Sequence, residues 1–170
     1  MRGFASLLSA AVVLLGVTSA LAQPPEPTRD TTPCGKVAPG PVSVPDDFSL
    51  SYRSGPTNAS WGTTRTTTVY ASGRATITDS GSKGRGGPRV ETSTERTVSK
   101  QAVQSLYATV TACDFFALNE SYFNRHVMDG SSSSLWATAS GKKHHVVVHH
   151  YPVTRFYAVV SALNKAIENK

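Results

Sequence analysis

Residues 135–150 read Leu-Trp-Ala-Thr-Ala-Ser-Gly-Lys-Lys-His-His-Val-Val-Val-His-His. Two runs that favour strand flank the turn signal Ser140-Gly141, so residues 135–139 and 144–150 predict a β-hairpin. Successive side chains on a strand point to opposite faces, and the parity of the hairpin assigns those faces whichever two residues make the turn. Leu135, Ala137, Val146 and Val148 fall on one side, and Trp136, His145, Val147 and His149 on the other. A sheet with one apolar face needs a second layer to cover it.

Two stretches of helical period supply the cover. Val103, Leu106, Val110 and Cys113 recur at three- and four-residue spacing, with Ser99 as N-cap and Val98 and Val103 as a hydrophobic staple. Beyond Pro152, Thr154 is expected to cap a final helix whose stripe is Phe156, Val160, Leu163 and Ile167. Upstream, Phe48, Leu50 and Tyr52 alternate with Ser49, Ser51 and Arg53, which marks a strand with one buried face. Residues 64–71 and 75–77 form a hairpin around Ser72-Gly73, and residues 90–98 alternate again, more weakly. Residues 114–118 leave the first helix and carry two rings toward the core; residues 121–130 read as a loop closed by Asp129-Gly130. The pattern predicts an α+β fold in a single domain: an antiparallel sheet of five or six strands with two helices packed on one face.

The chain has 170 residues, 39% hydrophobic and 16% charged, with a formal net charge of +6. This length suits one domain, and the composition excludes a collagen, a multi-span membrane protein and a disulfide-dense miniprotein. Met1-Arg2, an uncharged run from Leu7 to Leu21 and Ala20-Leu21-Ala22 together predict a signal peptide over residues 1–22, cleaved after Ala22. The apolar run is shorter than a spanning helix requires, so no membrane span is expected after cleavage. The protein is expected to be exported, either periplasmic or secreted. Residues 23–45 hold seven of the ten prolines and predict an extended, flexible leader, with the α+β domain over residues 46–170. In an oxidising compartment Cys34 and Cys113 can bridge and close a loop worth about 4.5 kcal/mol of chain entropy. The alternative is a buried Cys113 and a free Cys34.

The run Phe-Ser-Leu-Ser-Tyr-Arg-Ser-Gly-Pro at 48–56, the helix ending Cys-Asp-Phe-Phe-Ala-Leu at 113–118, Tyr122-Phe123, Asp129-Gly130, the last hairpin and the C-terminal helix follow one another in order. That order resembles a family of small bacterial exported domains of unassigned function. It is similar, more distantly and in pattern and size only, to the small bacterial inhibitors of thermolysin-like metalloproteases. The resemblance implies fold rather than activity, and no inhibitory residue carries over.

Candidate chemistry is sparse. His144, His145, His149 and His150 crowd one strand, with His126 elsewhere. Adjacent residues on a strand face apart, and His145 and His149 lie roughly 13 Å apart along it, too far to share one ion at about 2.1 Å from each ring. No metal and no cofactor are expected. Ser131 to Ser134 has no Gly-x-Ser-x-Gly elbow, and Cys113 lies on an apolar stripe where a thiolate is disfavoured. Lys83, Arg85 and Arg89 make a basic glycine-rich loop without phosphate-loop order, which suggests contact with an anionic surface. Nucleic acid is not an expected partner, because export removes it from reach. Trp61, Tyr70, Trp136 and Tyr151 are candidates for an aromatic strip on the sheet face away from the helices. The expected function is non-catalytic binding, through Trp61, Lys83, Arg85, Arg89, Trp136, His145 and His149. The expected partner is another exported protein, such as a protease, or an anionic envelope polymer. The alternatives are a metal- or His-dependent hydrolase built on the strand from His144 to His150, and a structural envelope module.

Overall fold

Among the described residues of the computed structural model, seven strands and two helices alternate along the chain. They are β1 (Ser49–Pro56), β2 (Thr63–Tyr70), β3 (Arg74–Ser82), β4 (Arg89–Thr97), α1 (Lys100–Ala112), β5 (Ser121–Phe123), β6 (Ser131–Ala139), β7 (Lys142–His149) and α2 (Thr154–Glu168). A single 3-10 turn, Phe115–Ala117, follows α1. The structure describes residues 30–37, 40–56, 62–82, 87–127 and 130–168. The expected signal segment 1–22, the sites Trp61, Lys83 and Arg85, and Asp129 of the expected turn lie outside the described residues.

The fold is α+β with one domain, but its sheet is larger than expected. The strand order is β4-β3-β2-β1-β6-β7-β5, and β5 runs parallel to β7 while every other pair is antiparallel. The difference comes from β5, which lies where a loop was expected. Three residues are too few to show a period of two, and the strand is fixed by tertiary contacts instead. Tyr122 is buried at 2% exposure, the backbone N–H of Asn119 donates to its hydroxyl at 3.1 Å, and Val147 N–H donates to Glu120 O at 2.9 Å.

The two hairpins turn for identifiable reasons. Ser140 and Gly141 both have positive φ, 53° and 74°, as a two-residue turn matched to strand twist demands. A serine in that region is unfavourable on its own. Asp47 compensates: its two carboxylate oxygens accept the N–H groups of Ser140 and Gly141 at 2.7 and 2.6 Å. Those hydrogen bonds, from Gly141 first and then Ser140, hold the Asp47 carboxyl below its ordinary range. Gly73 turns β2 into β3 at φ 82°, and a Cβ there would sit 2.6 Å from the Val98 carbonyl oxygen, so only glycine fits.

One face of the sheet carries the core. Leu50, Val69, Leu135 and Val146 are fully buried against Val103, Leu106 and Val110 of α1 and Phe156, Val159 and Leu163 of α2. Each such side chain contributes roughly 1.5–3 kcal/mol of burial. Aromatic contacts join the layers, Phe48 with Tyr107 at 5.1 Å and Tyr52 with Phe156 at 6.5 Å. Ser99 caps α1 as expected, accepting from Ala102 N–H at 3.2 Å, with Val98 and Val103 buried beside it. The start of α2 is displaced by one position from expectation: Thr154 is its first helical residue, and its N–H donates to the Asp30 carbonyl at 2.9 Å.

Residues 30–37 belong to the proline-rich stretch and form no regular element apart from a bridge between Asp30 and Val153. They are nevertheless fastened to the domain. Cys34 and Cys113 are bonded, with sulfurs 2.03 Å apart, and Gly35 N–H caps the Ala112 carbonyl at the end of α1 at 2.8 Å. Arg155 donates two hydrogen bonds to Asp30 Oδ2, at 2.6 and 3.0 Å. Burial pushes the Asp30 carboxyl up, but hydrogen bonds from Arg155 and Thr32 outweigh it and hold the group below its ordinary range.

Candidate functional site: the open face of the sheet

Both helices cover one face, so the register decides what the other presents. Cross-strand partners share a face. Ser51 pairs with Thr68 and with Trp136, Thr68 with Thr76, and Trp136 with His145, which makes one continuous row. The next row is Ser93, Thr78, Thr66, Arg53, Ser134 and Val147. The face is mostly hydroxyls, and some of them hydrogen-bond to one another, such as Ser51 with Thr68 at 2.9 Å.

Two aromatic–imidazole stacks stand out from this polar field. Trp136 lies over His145 with ring centres 4.4 Å apart and planes 7° apart; Phe123 lies over His149 at 4.8 Å and 15°. Trp136 is 37% exposed and Phe123 47%, whereas His149 beneath its partner is 6% exposed. His145 is half-buried, its Nε2 atom is buried with no hydrogen-bond partner among the described residues, and burial lowers its basicity, with the neighbouring His144 adding to the effect and Glu120 opposing it. A neutral imidazole therefore backs the indole.

Beside Trp136 the face dips into a depression of about 280 Å³, lined also by Arg53, Gly55, Pro56, Thr64, Ser132 and Ser134. The Arg53 side chain is exposed and makes no ion pair or hydrogen bond among the described residues. On the strands of this face the register puts Glu91 and Glu95 on β4, three strands from β1, while Glu120, just before β5, acts on His145. Glu95 is taken up by Arg74, which also lies over the Tyr70 ring at 4.4 Å. A larger hollow, about 610 Å³, lies between residues 41–46 and the start of α1; its charged residues are Asp46 and Lys100, of opposite sign, and no aromatic ring lines it.

The sequence-predicted residues distribute unevenly over this geometry. Trp136, His145 and His149 lie on the open face as parity required. Arg89 shares the face but sits on the edge strand β4, donating to Ser80 Oγ at 3.2 Å, apart from the Trp136 depression. Of the expected aromatic strip, Tyr70 faces outward beside Arg74, but Tyr151 packs against the core and within 6.1 Å of Tyr122. The histidines diverge. His144 Nε2 hydrogen-bonds the Leu118 carbonyl at 2.9 Å with its ring against Phe115, and His150 Nε2 accepts from Ser131 N–H at 3.1 Å. Among the described residues no three His, Cys, Asp or Glu side chains converge on a common point. Arg53, Ser132 and Ser134 were missed as site residues. Arg53 had the right parity, but nothing local showed that β6 would pair beside it.

Neither a family model nor a curated protein matches the chain. Among the described residues no helix is long and apolar enough to cross a membrane.

Proposed function

We propose that the chain is an exported, non-catalytic binding domain, and that its partner is an anionic envelope polymer held on the open face of the sheet. The observation that supports this most is the depression in which an exposed indole, hydroxyl side chains and the Arg53 guanidinium, unpaired among the described residues, adjoin. Among the described residues the strand positions of this face carry four cations (Arg53, Arg74, Arg89 and Lys143) and two carboxylates (Glu91 and Glu95), with Glu120 close enough to act on His145, so the field around Arg53 favours anions. The bonded Cys34–Cys113 pair suits an oxidising compartment. A protein partner, such as a protease, is the competing reading; stable protein interfaces have an apolar centre, and hydroxyls occupy most of this face. The diverging histidines give no support to the hydrolase alternative.

The test is retention of the processed chain on the envelope polymer fraction of its own culture. Wild type is expected to be retained at low salt and released as salt rises. The double variant Arg53→Gln, Trp136→Ala is expected to pass through unretained while still unfolding in one cooperative transition above the temperature of the retention experiment. Equal retention of both would reject the open face as the binding surface.

A further inference from the structure

We infer that the depression beside Trp136 is a subsite for one carboxylate-bearing pyranose ring of a polysaccharide. This rests on the reading of the open face as a binding surface and names the unit it recognises.

The stacking geometry comes first. One face of the Trp136 indole is covered by His145 on β7. In the strand order β1-β6-β7, the side of Trp136 away from His145 lies toward β1, whose Arg53, Gly55 and Pro56 line the depression with it. A partly exposed indole beside the depression offers a flat apolar platform to a flat partner. The C–H face of a pyranose is such a partner: apolar on its face and polar around its rim.

The rim chemistry agrees. Sugar hydroxyls both donate and accept, and so do the hydroxyls of Thr64, Ser132 and Ser134 that line the depression. Arg53 adds a planar fork of donors that matches a carboxylate in two parallel bonds. With no ion pair or hydrogen bond among the described residues, its guanidinium is free to make them. A purely anionic ligand such as phosphate would leave the indole unused, and a neutral sugar would give the guanidinium only single hydrogen bonds to hydroxyls and leave its charge unmatched. Size limits the occupant: about 280 Å³ lies at the foot of the ~300–1,000 Å³ range of small-molecule sites, so one ring enters and the rest of the polymer runs across the face.

The test separates ring from charge. The chain has two tryptophans, so each affinity is measured by calorimetry on the wild-type chain, and Trp136 fluorescence is read in Trp61→Phe once calorimetry has shown that variant to bind as wild type does. Three probes are titrated at one ionic strength: an oligogalacturonate, which has ring and carboxylate; a neutral cello-oligosaccharide of the same length; and polyglutamate, which has carboxylates without rings. Saturable change in Trp136 fluorescence with oligogalacturonate is expected, with affinity at least tenfold above either control. Arg53→Gln is expected to reduce the acidic oligosaccharide to the level of the neutral one. Trp136→Ala, followed by calorimetry, is expected to abolish binding of both sugars. Polyglutamate binding as tightly as oligogalacturonate would overturn the subsite and point to an acidic protein. No binding of oligogalacturonate would also overturn it. In that case the envelope-retention experiment decides separately whether the open face binds at all, since retention lost with Arg53→Gln, Trp136→Ala leaves that reading standing.

Discussion

Leu135 and Trp136 are neighbours in the chain and opposites in the molecule. Leu135 is fully buried beneath the helices, while Trp136 stands 37% exposed on the other side of the same strand. The covered face is built from aliphatic side chains that any well-packed core could use. The open face holds hydroxyls, an arginine unpaired among the described residues and two imidazole-backed rings, an assortment unlike a packed core. Strand alternation thus gives one segment two faces of different chemistry, and under the proposed binding reading substitutions on the two should have separable consequences.

The largest expected effect is on the covered face. Leu135→Ala removes a fully buried side chain and should cost about 3 kcal/mol, lowering the melting temperature by roughly 10 °C. Affinity for the polymer, measured well below that temperature, should stay at the wild-type level. Loss of affinity in the folded variant would break the separation of faces.

The fastened segment 30–37 comes next. Replacing Cys34 and Cys113 together by serine should cost roughly 2–4 kcal/mol in thermal denaturation. Wild type under reductant should match the double variant, and reductant should leave the variant unchanged. Asp30→Asn should cost about 1–2 kcal/mol, since its largely buried carboxylate is held by Arg155. Because the folded-state pKa of Asp30 lies below the ordinary 3.8, this contribution is fully present above that value and is lost as pH falls through the folded-state value. Melting temperatures of wild type and Asp30→Asn should therefore converge on acidification below pH 3.8.

Smaller effects belong to the open face. Burial lowers the His145 pKa below its ordinary 6.5, so the unfolded chain binds the proton more readily. Stability should then decline as pH falls below 6.5, and His145→Phe should flatten that part of the melting-temperature profile. A profile unchanged by the substitution would show that the stacked imidazole does not couple to folding. Trp136→Ala loses the stack on His145 and should cost roughly 1–2 kcal/mol, leaving the chain folded, while lowering polymer retention at least tenfold.

Strand parity made much of the comparison legible in advance. Alternation in residues 135–150 assigned Leu135 and Trp136 to opposite faces before any partner strand was known, and the spacing of Val103, Leu106 and Val110 located the covering helix. What stayed hidden depends on contacts distant in sequence. β5 is three residues long and exists through its pairing with β7 and the burial of Tyr122. The docking of Asp30 on α2 joins residues 125 positions apart. Arg53 looked like an ordinary solvent-facing residue until β6 placed Ser134 opposite it. The candidate site is thus a product of register between β1 and β6, which local periodicity does not encode.

Trp136 and Tyr157 allow the most direct test, because they are comparably exposed aromatics, 37% and 45%, on the open face and on α2 respectively. Hydroxyl-radical footprinting of the protein with and without the envelope polymer reads both in one experiment. Protection of Trp136 with Tyr157 unchanged is the result expected of a binding face opposite the helices; protection of Tyr157 with Trp136 still fully reactive would contradict it.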